Sequence, residues 1–249
     1  MLEALRAGNR PIEQVMIAEN ATSGRFRELV TLANAKNIPL RRVPRAALDR
    51  LAVNAHHQGV LARVAAARYA DPEELLDGVS ERIHAGEAPL VIGLDGVEDP
   101  RNLGAILRTA ECAGVRGVFI PERRAAGLTE TVAKASAGAV EHLLIARVPN
   151  LALLVDELKQ RSIWVVGTAP DASLDYSEWD WTGASAVLFG GEGAGLRRLL
   201  RERCDALVRI PMEGRIGSLN VSVAAGVVLF EALRQRAVRR MKAVQNRSR

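Results

Sequence analysis

The chain is poor in cysteine. It has two, Cys112 and Cys204, far apart in a sequence of 249 residues. A disulfide framework and a cysteine-based zinc site are therefore not expected, and two buried thiols in a reducing compartment are. Long apolar runs are also missing. The most apolar helical stretch, residues 221–233, is too short to span a bilayer. The first residues, Met1-Leu-Glu-Ala-Leu-Arg, do not lead a basic region into an apolar one. No secretory signal and no membrane partner are expected, and the expected location is cytoplasmic. Histidines are few: His56 and His57 are adjacent and so diverge, while His84 and His142 are isolated. Without ligand spacing, no metal is expected. There is no internal repeat and no low-complexity segment.

What is present suits a folded protein. Hydrophobic residues make up 48% and charged residues 25%, enough for a core with an ordinary soluble surface. The net charge of +5 is unevenly placed. Residues 1–67 hold ten Lys/Arg against five Asp/Glu, and the rest of the chain is balanced at 24 of each. A second basic run follows Glu231, with seven Lys/Arg and no acid. Basic regions flanking a neutral middle suit a polyanion partner, although they also serve as a solubilising surface. Thirty of the 34 basic residues are Arg, which fits phosphate recognition.

Apolar spacing divides the chain into an α/β unit at 1–67, a linker at 68–87 and a larger α/β domain at 88–249. The first unit is expected to have helices at 1–7, 26–37 and 46–52, with strands at 15–18, 40–43 and 59–65. The linker is acidic and short of core residues, with one helical piece announced by Asp71-Pro72. In the domain, strands are expected at 90–94, 118–120, 143–146, 163–167, 186–189 and 207–210. They are continuously apolar, as strands covered on both faces of a parallel sheet are. Helices at 103–113, 128–135, 151–160, 196–203 and 219–240 alternate with them.

Ligands of open α/β sheets bind beyond the C-terminal strand ends, so the loops there hold the candidate chemistry. The first is Asp95-Gly-Val-Glu-Asp-Pro-Arg-Asn102, leading into a helix that carries Arg108. Asn102 is placed as its cap. Arg108 sits among apolar neighbours and needs a partner, either an anionic substrate group or Glu98, Asp99 or Glu111. The second is Phe189-Gly-Gly-Glu192-Gly-Ala-Gly-Leu196. Its spacing is not that of a dinucleotide fingerprint, it lacks the Lys-Ser/Thr of a P-loop, and its acid would repel a pyrophosphate. It suits a cationic ligand or a ribose hydroxyl, or simply a tight strand-to-helix turn. The third runs Ile210-Pro-Met212-Glu-Gly-Arg-Ile-Gly-Ser218-Leu219-Asn220-Val-Ser222. Ser218 is the expected N-cap of the last helix, and Ala224, Ala225 and Gly226 allow that helix a close packing partner.

Together and in this order, the three loops resemble the signature motifs of the TrmH branch of the SPOUT methyltransferases, over residues 88–240. His57-Gln-Gly-Val60 resembles the end of the small ribosomal-protein-like RNA-binding domain of RlmB-like members, which usually begin with a strand before the first helix. The resemblance implies a fold of parallel sheet with a trefoil knot and a homodimer. It also implies S-adenosylmethionine (AdoMet) as cofactor and 2'-O-methylation of a guanosine in 23S ribosomal RNA. Arg108 would act on the ribose 2'-hydroxyl and its phosphate, facing the partner's cofactor pocket. Asn102 and Glu192 would shape the substrate side, and Ser218 and Asn220 would hold the third loop and orient the target. The cofactor would lie on Thr168, Gly190, Glu192, Gly193, Gly195, Ile210, Met212, Ser218 and Leu219. The rival readings are a tRNA ribose methyltransferase, a non-catalytic RNA-binding assembly factor and a dinucleotide-dependent oxidoreductase.

Overall fold

A computed structural model describes residues 2–8, 11–21, 24–52, 57–65, 67–193 and 195–247. Met1 and His56 lie outside the described residues. The chain separates into two compact units, Met1–Ala67 and Arg68–Arg249.

In the first unit, helices α1 (Leu2–Ala7), α2 (Gly24–Ala35) and α3 (Arg45–Leu51) accompany strands β1 (Ile12–Ala18), β2 (Leu40–Val43) and β3 (Val60–Val64). Central β1 pairs parallel with β2 and antiparallel with β3. Leu5, Val15, Ile17 and Leu29 form its core. The His57-Gln-Gly segment is a structural clasp. Gly59 N–H donates to His57 Nδ1 at 3.0 Å, so Nε2 carries the proton that reaches Asp49 Oδ1 on α3 at 2.8 Å. Gln58 and Gly59 take φ of 48° and 84°, the left-handed turn into β3.

The second unit begins earlier than the sequence suggests. Residues 68–87, expected to be a linker short of core residues, carry α4 (Pro72–His84), whose Leu75, Leu76 and Val79 are buried in this unit's core. The acidic residues occupy the solvated face of an amphipathic helix. The remaining elements are β4 (Leu90–Asp95), α5 (Pro100–Cys112), β5 (Gly117–Pro121), α6 (Glu130–Ala135), β6 (Ile145–Val148), α7 (Leu151–Gln160), β7 (Trp164–Thr168), the two-residue β8 (Leu174–Asp175), β9 (Ser185–Gly190), α8 (Arg198–Arg203), β10 (Ala206–Arg209) and α9 (Val221–Arg247). β8, absent from the expected strands, pairs only with β10 and is too short to show a pattern. All pairings in the seven-stranded sheet are parallel, in the order β6-β5-β4-β9-β7-β10-β8. The chain moves outward from β4 through β5 to β6, then returns to build the other half. The order reverses between β4 and β9, and such a switch point leaves a crevice at the strand ends.

α9 is pinned by Arg236, which donates to the carbonyls of Trp181, Ala88 and Gly183 at 2.8, 2.6 and 2.7 Å. Burial, with a smaller push from Arg240, lowers its pKa to about 10, so it stays charged at neutral pH. Burial likewise raises the Cys204 thiol to about 12 and keeps it protonated, while Cys112 is exposed. The small face of α9 packs inside the chain: Ala225 is fully buried, and α9 lies against α5 at Gly226 and Thr109. Among the described residues, no helix is long and apolar enough to cross a membrane, and no group of His, Cys, Asp and Glu could hold a metal.

His57→Ala leaves the buried Gly59 amide without its acceptor, while exposed Asp49 turns to water. The substitution should lower the stability of the first unit by about 1–3 kcal/mol. Hydrogen exchange of β1 and β3 will register this, while the second unit's core amides should stay unchanged.

Candidate active site at the β4–β9 switch point

The last residues of β4 and β9, Asp95 and Gly190, are register partners at the crevice. Asp95 is buried at 4% exposure, so its carboxylate needs strong partners. Arg197, just before α8, supplies them. Its Nε lies 2.8 and 3.0 Å from the two carboxylate oxygens, and its backbone N–H donates to Oδ2 at 3.1 Å. The Asp95 carbonyl accepts from Gly191 N–H at 2.6 Å. Both ends of the glycine loop are thereby tied to one residue.

The glycines of this loop make room for backbone. A Cβ on Gly190 would lie 2.0 Å from Gly195 C, and one on Gly191 would lie 2.0 Å from Gly96 O. The loop folds back on itself and onto the β4–α5 turn, so these positions are already taken up by the chain.

Glu192 is held at the turn of this loop. Asn102 Nδ2 donates to Glu192 Oε1 at 2.5 Å. Asn220 Nδ2 reaches the same oxygen at 3.0 Å and Asn102 Oδ1 at 3.1 Å. One residue from each of the three loops thus enters a single hydrogen-bonded group. The amides neutralise no charge, so the group remains an anion with oriented donors, suited to accept from a hydroxyl or an amino group.

Two expected caps are corrected. Asn102 is not the N-cap of α5; Asp99 is, accepting from Arg101 N at 2.8 Å, with Pro100 as the first helical residue. This frees Asn102 to turn inward, where it is buried. Ser218 is not the N-cap of α9, which starts at Val221. Asn220 Oδ1 accepts from Ser222 N and Oγ at 2.9 and 2.6 Å, while Ser218 is exposed.

Arg108 stands apart from the Glu192 group. It is exposed on α5, and among the described residues it has no hydrogen-bond or ion-pair partner, so Glu98, Asp99 and Glu111 do not claim it. Asp95 and Arg197 escaped the sequence reading as site residues, because a pair 102 residues apart has no local signature.

Thr168, Gly190 and Ile210 lie at the adjoining ends of β7, β9 and β10. Thr168 Oγ1 bridges to Leu188 O at 3.1 Å, and Ala169 N–H donates to Val208 O at 2.9 Å. Beyond them, residues 211–220 are exposed throughout, including Met212, Ile216 and Leu219. Among the described residues, no backbone N–H of 212–219 finds a partner in the chain.

A model of the SpoU rRNA methylase family matches residues 89–230, and one for RNA 2'-O ribose methyltransferase substrate binding matches residues 1–70. YacO of Bacillus subtilis strain 168, assigned to the TrmH family of tRNA/rRNA methyltransferases, is 44% identical over 236 residues, 95% of this chain and 93% of its own. Among solved structures, the SpoU methyltransferase AviRb of Streptomyces viridochromogenes, in complex with AdoMet, superposes with a TM-score of 0.76. It is 28% identical and covers 95% of this chain and 87% of its own. The AdoMet-bound rRNA methyltransferase of Sinorhizobium meliloti gives 0.75 at 29% identity, over 94% of this chain and 83% of its own.

Asn102→Ala and Asn220→Ala remove donors to one carboxylate oxygen, so their effects should not add. A coupling of about 0.5–3 kcal/mol is expected from a double-mutant cycle in urea. Additive losses would mean that the three loops are held independently.

Proposed function

This chain belongs to the SpoU rRNA methylase family, and from that premise we propose that it methylates the ribose 2'-hydroxyl of a guanosine in 23S ribosomal RNA, as a cytoplasmic homodimer using AdoMet. The observation that carries the reading is the meeting of Asn102, Glu192 and Asn220 at the switch point, with Arg108 left unpaired on the helix that bears Asn102. The similarity to a solved rRNA methyltransferase over 94% of the chain, both units included, supports ribosomal RNA.

The residues present fit the cofactor. The third loop offers a row of unpaired amides and three exposed apolar side chains, Met212, Ile216 and Leu219, which suit an adenosyl group. Thr168, Gly190, Gly193, Gly195, Ile210, Met212, Ser218 and Leu219 would line its pocket, with Glu192 on the side of the positive charge. The same resemblance implies that a trefoil knot forms this pocket. When bound, AdoMet supplies a methyl group already activated on a sulfonium.

The chain's own task is to position and activate the acceptor. A ribose hydroxyl is a weak nucleophile because its pKa lies far above neutrality. A guanidinium is a fixed cation and not a base, so the role of Arg108 is to stabilise the oxyanion that develops as the O–H proton passes to water. It would do so across the dimer, at the partner's pocket. Asn102 and Glu192 hold the substrate side, and Asn220 fixes the third loop against both.

The test is methyl transfer from labelled AdoMet to unmodified 23S rRNA and, separately, to unmodified tRNA, with the product mapped. One 2'-O-methylated guanosine in the rRNA is expected, and product in tRNA alone would overturn the substrate assignment. Arg108→Ala should lower turnover on the order of 10²–10³-fold while AdoMet binding by calorimetry persists. Near-normal turnover would remove Arg108 from the mechanism.

A further inference from the structure

A cleft of about 340 Å³ opens beside Glu192, and its wall carries six charged side chains: Asp95, Glu98, Asp99, Glu192, Arg124 and Arg197. Four are already engaged. Asp95 and Arg197 hold each other, Asp99 caps α5, and Glu192 accepts from the two asparagines. Glu98 and Arg124 are the two that have no hydrogen-bond or ion-pair partner among the described residues.

These two are presented by loops that are tied to each other. Glu98 follows the left-handed turn at Gly96. Arg124 lies on the loop after β5, which is anchored on both sides. Glu122 N–H donates to Val148 O at 3.0 Å, Ala126 N–H to Val97 O at 2.9 Å, and Leu128 N–H to the Tyr69 hydroxyl at 3.0 Å. The Tyr69 ring is itself covered by the Arg147 guanidinium at 4.2 Å. Between these anchors Arg124 takes φ of 58°, a left-handed conformation that a non-glycine residue keeps only where its surroundings impose it. The Ala126–Val97 bond sets Glu98 and Arg124 on adjoining walls of one cleft.

We propose that Glu98 and Arg124 read the base of the target nucleotide as guanine, Glu98 on its Watson–Crick edge and Arg124 on its Hoogsteen edge. This rests on the methyltransferase reading above and assigns the base specificity of that site. Guanine shows two adjacent donors, N1–H and the N2 amino group, on one edge and two acceptors, O6 and N7, on the next. An ionised carboxylate is acceptor-only and takes the first pair. An arginine fork matches O6 and N7 bidentately. Adenine offers N6 as donor and N7 as acceptor on its Hoogsteen edge and no donor pair on the other, so it would leave both charges unmatched. Bases splayed from single-stranded RNA are read in this way, by both edges at once.

The test uses the wild-type chain and an RNA carrying guanosine, inosine or 7-deazaguanosine at the nucleotide the wild type methylates. Inosine lacks the N2 amino group, and 7-deazaguanosine lacks N7. Each should lower kcat/KM by about ten- to a hundred-fold. Glu98→Ala should lower guanosine to the wild type's inosine level or below and cease to distinguish the two, while still discriminating against 7-deazaguanosine; Arg124→Ala should do the reverse. Equal losses on all three RNAs would make these residues phosphate or loop contacts and overturn the proposal. So would equal use of the three RNAs by the wild type. Methylation of a nucleotide other than guanosine would overturn the base assignment alone. No transfer to any RNA would bring down the methyltransferase reading with it.

Discussion

A carboxylate buried at the end of β4 decides where the site lies. Asp95 cannot sit there uncompensated, and its partners are the side chain and backbone of Arg197, with its own carbonyl taken by Gly191. Removing the Arg197 side chain would leave the Asp95 carboxylate buried and unmatched, whereas Arg197 itself is half exposed and solvated. The glycine loop is therefore closed from both ends against β4. Glu192, near its middle, then falls opposite Asn102, which Asp99 has released by capping α5 in its place. The contacts that Asn102 and Asn220 make to Glu192 depend on this closure.

Within one chain, the carboxylate and the guanidinium proposed to serve the reaction are kept apart. Glu192 receives only neutral amide donors, and Arg108 is exposed without a partner. Were the two paired, each would screen the other, and the guanidinium would have less field to offer a developing oxyanion. Supplying Arg108 from a second copy, as proposed, would bring the cation to the pocket without that neutralisation. Glu98 and Arg124 repeat the pattern at the cleft, two opposite charges on tied loops that do not satisfy each other.

What was legible in the sequence was what burial and periodicity write locally. β4 and β5 are buried along their whole length and read as continuous apolar runs. The helix at Leu151–Gln160 has the expected bounds, since Asn150 caps it and Leu151, Leu154, Val155 and Leu158 form one buried face. The failures are instructive in the same terms. Asp-Pro marks a helix start at Asp71 and again at Asp99, but at the second Asn102, three residues later, competes in the sequence as an equally good cap. At α4, acidic composition outweighed the spacing of Leu75, Leu76 and Val79. The Asp95–Arg197 pair and the packing role of Gly190 and Gly191 are non-local and leave no pattern in a single sequence.

Asn220 shows why the chemistry of a side chain, and not its propensity alone, selects it. Serine, aspartate and asparagine all cap helices well. Here the cap must also reach across to the second loop. Oδ1 accepts from Ser222 N–H and hydroxyl at the start of α9, and Nδ2 donates to Glu192 and Asn102. Aspartate would cap but set a second carboxylate against Glu192. Serine would cap with too short a reach for both tasks. Asparagine alone among the good caps carries an acceptor for the helix and a donor for the carboxylate on one rigid amide. The start of the last helix and the closure of the site are thus a single event, and Ser218, two residues earlier, is left free in the exposed third loop.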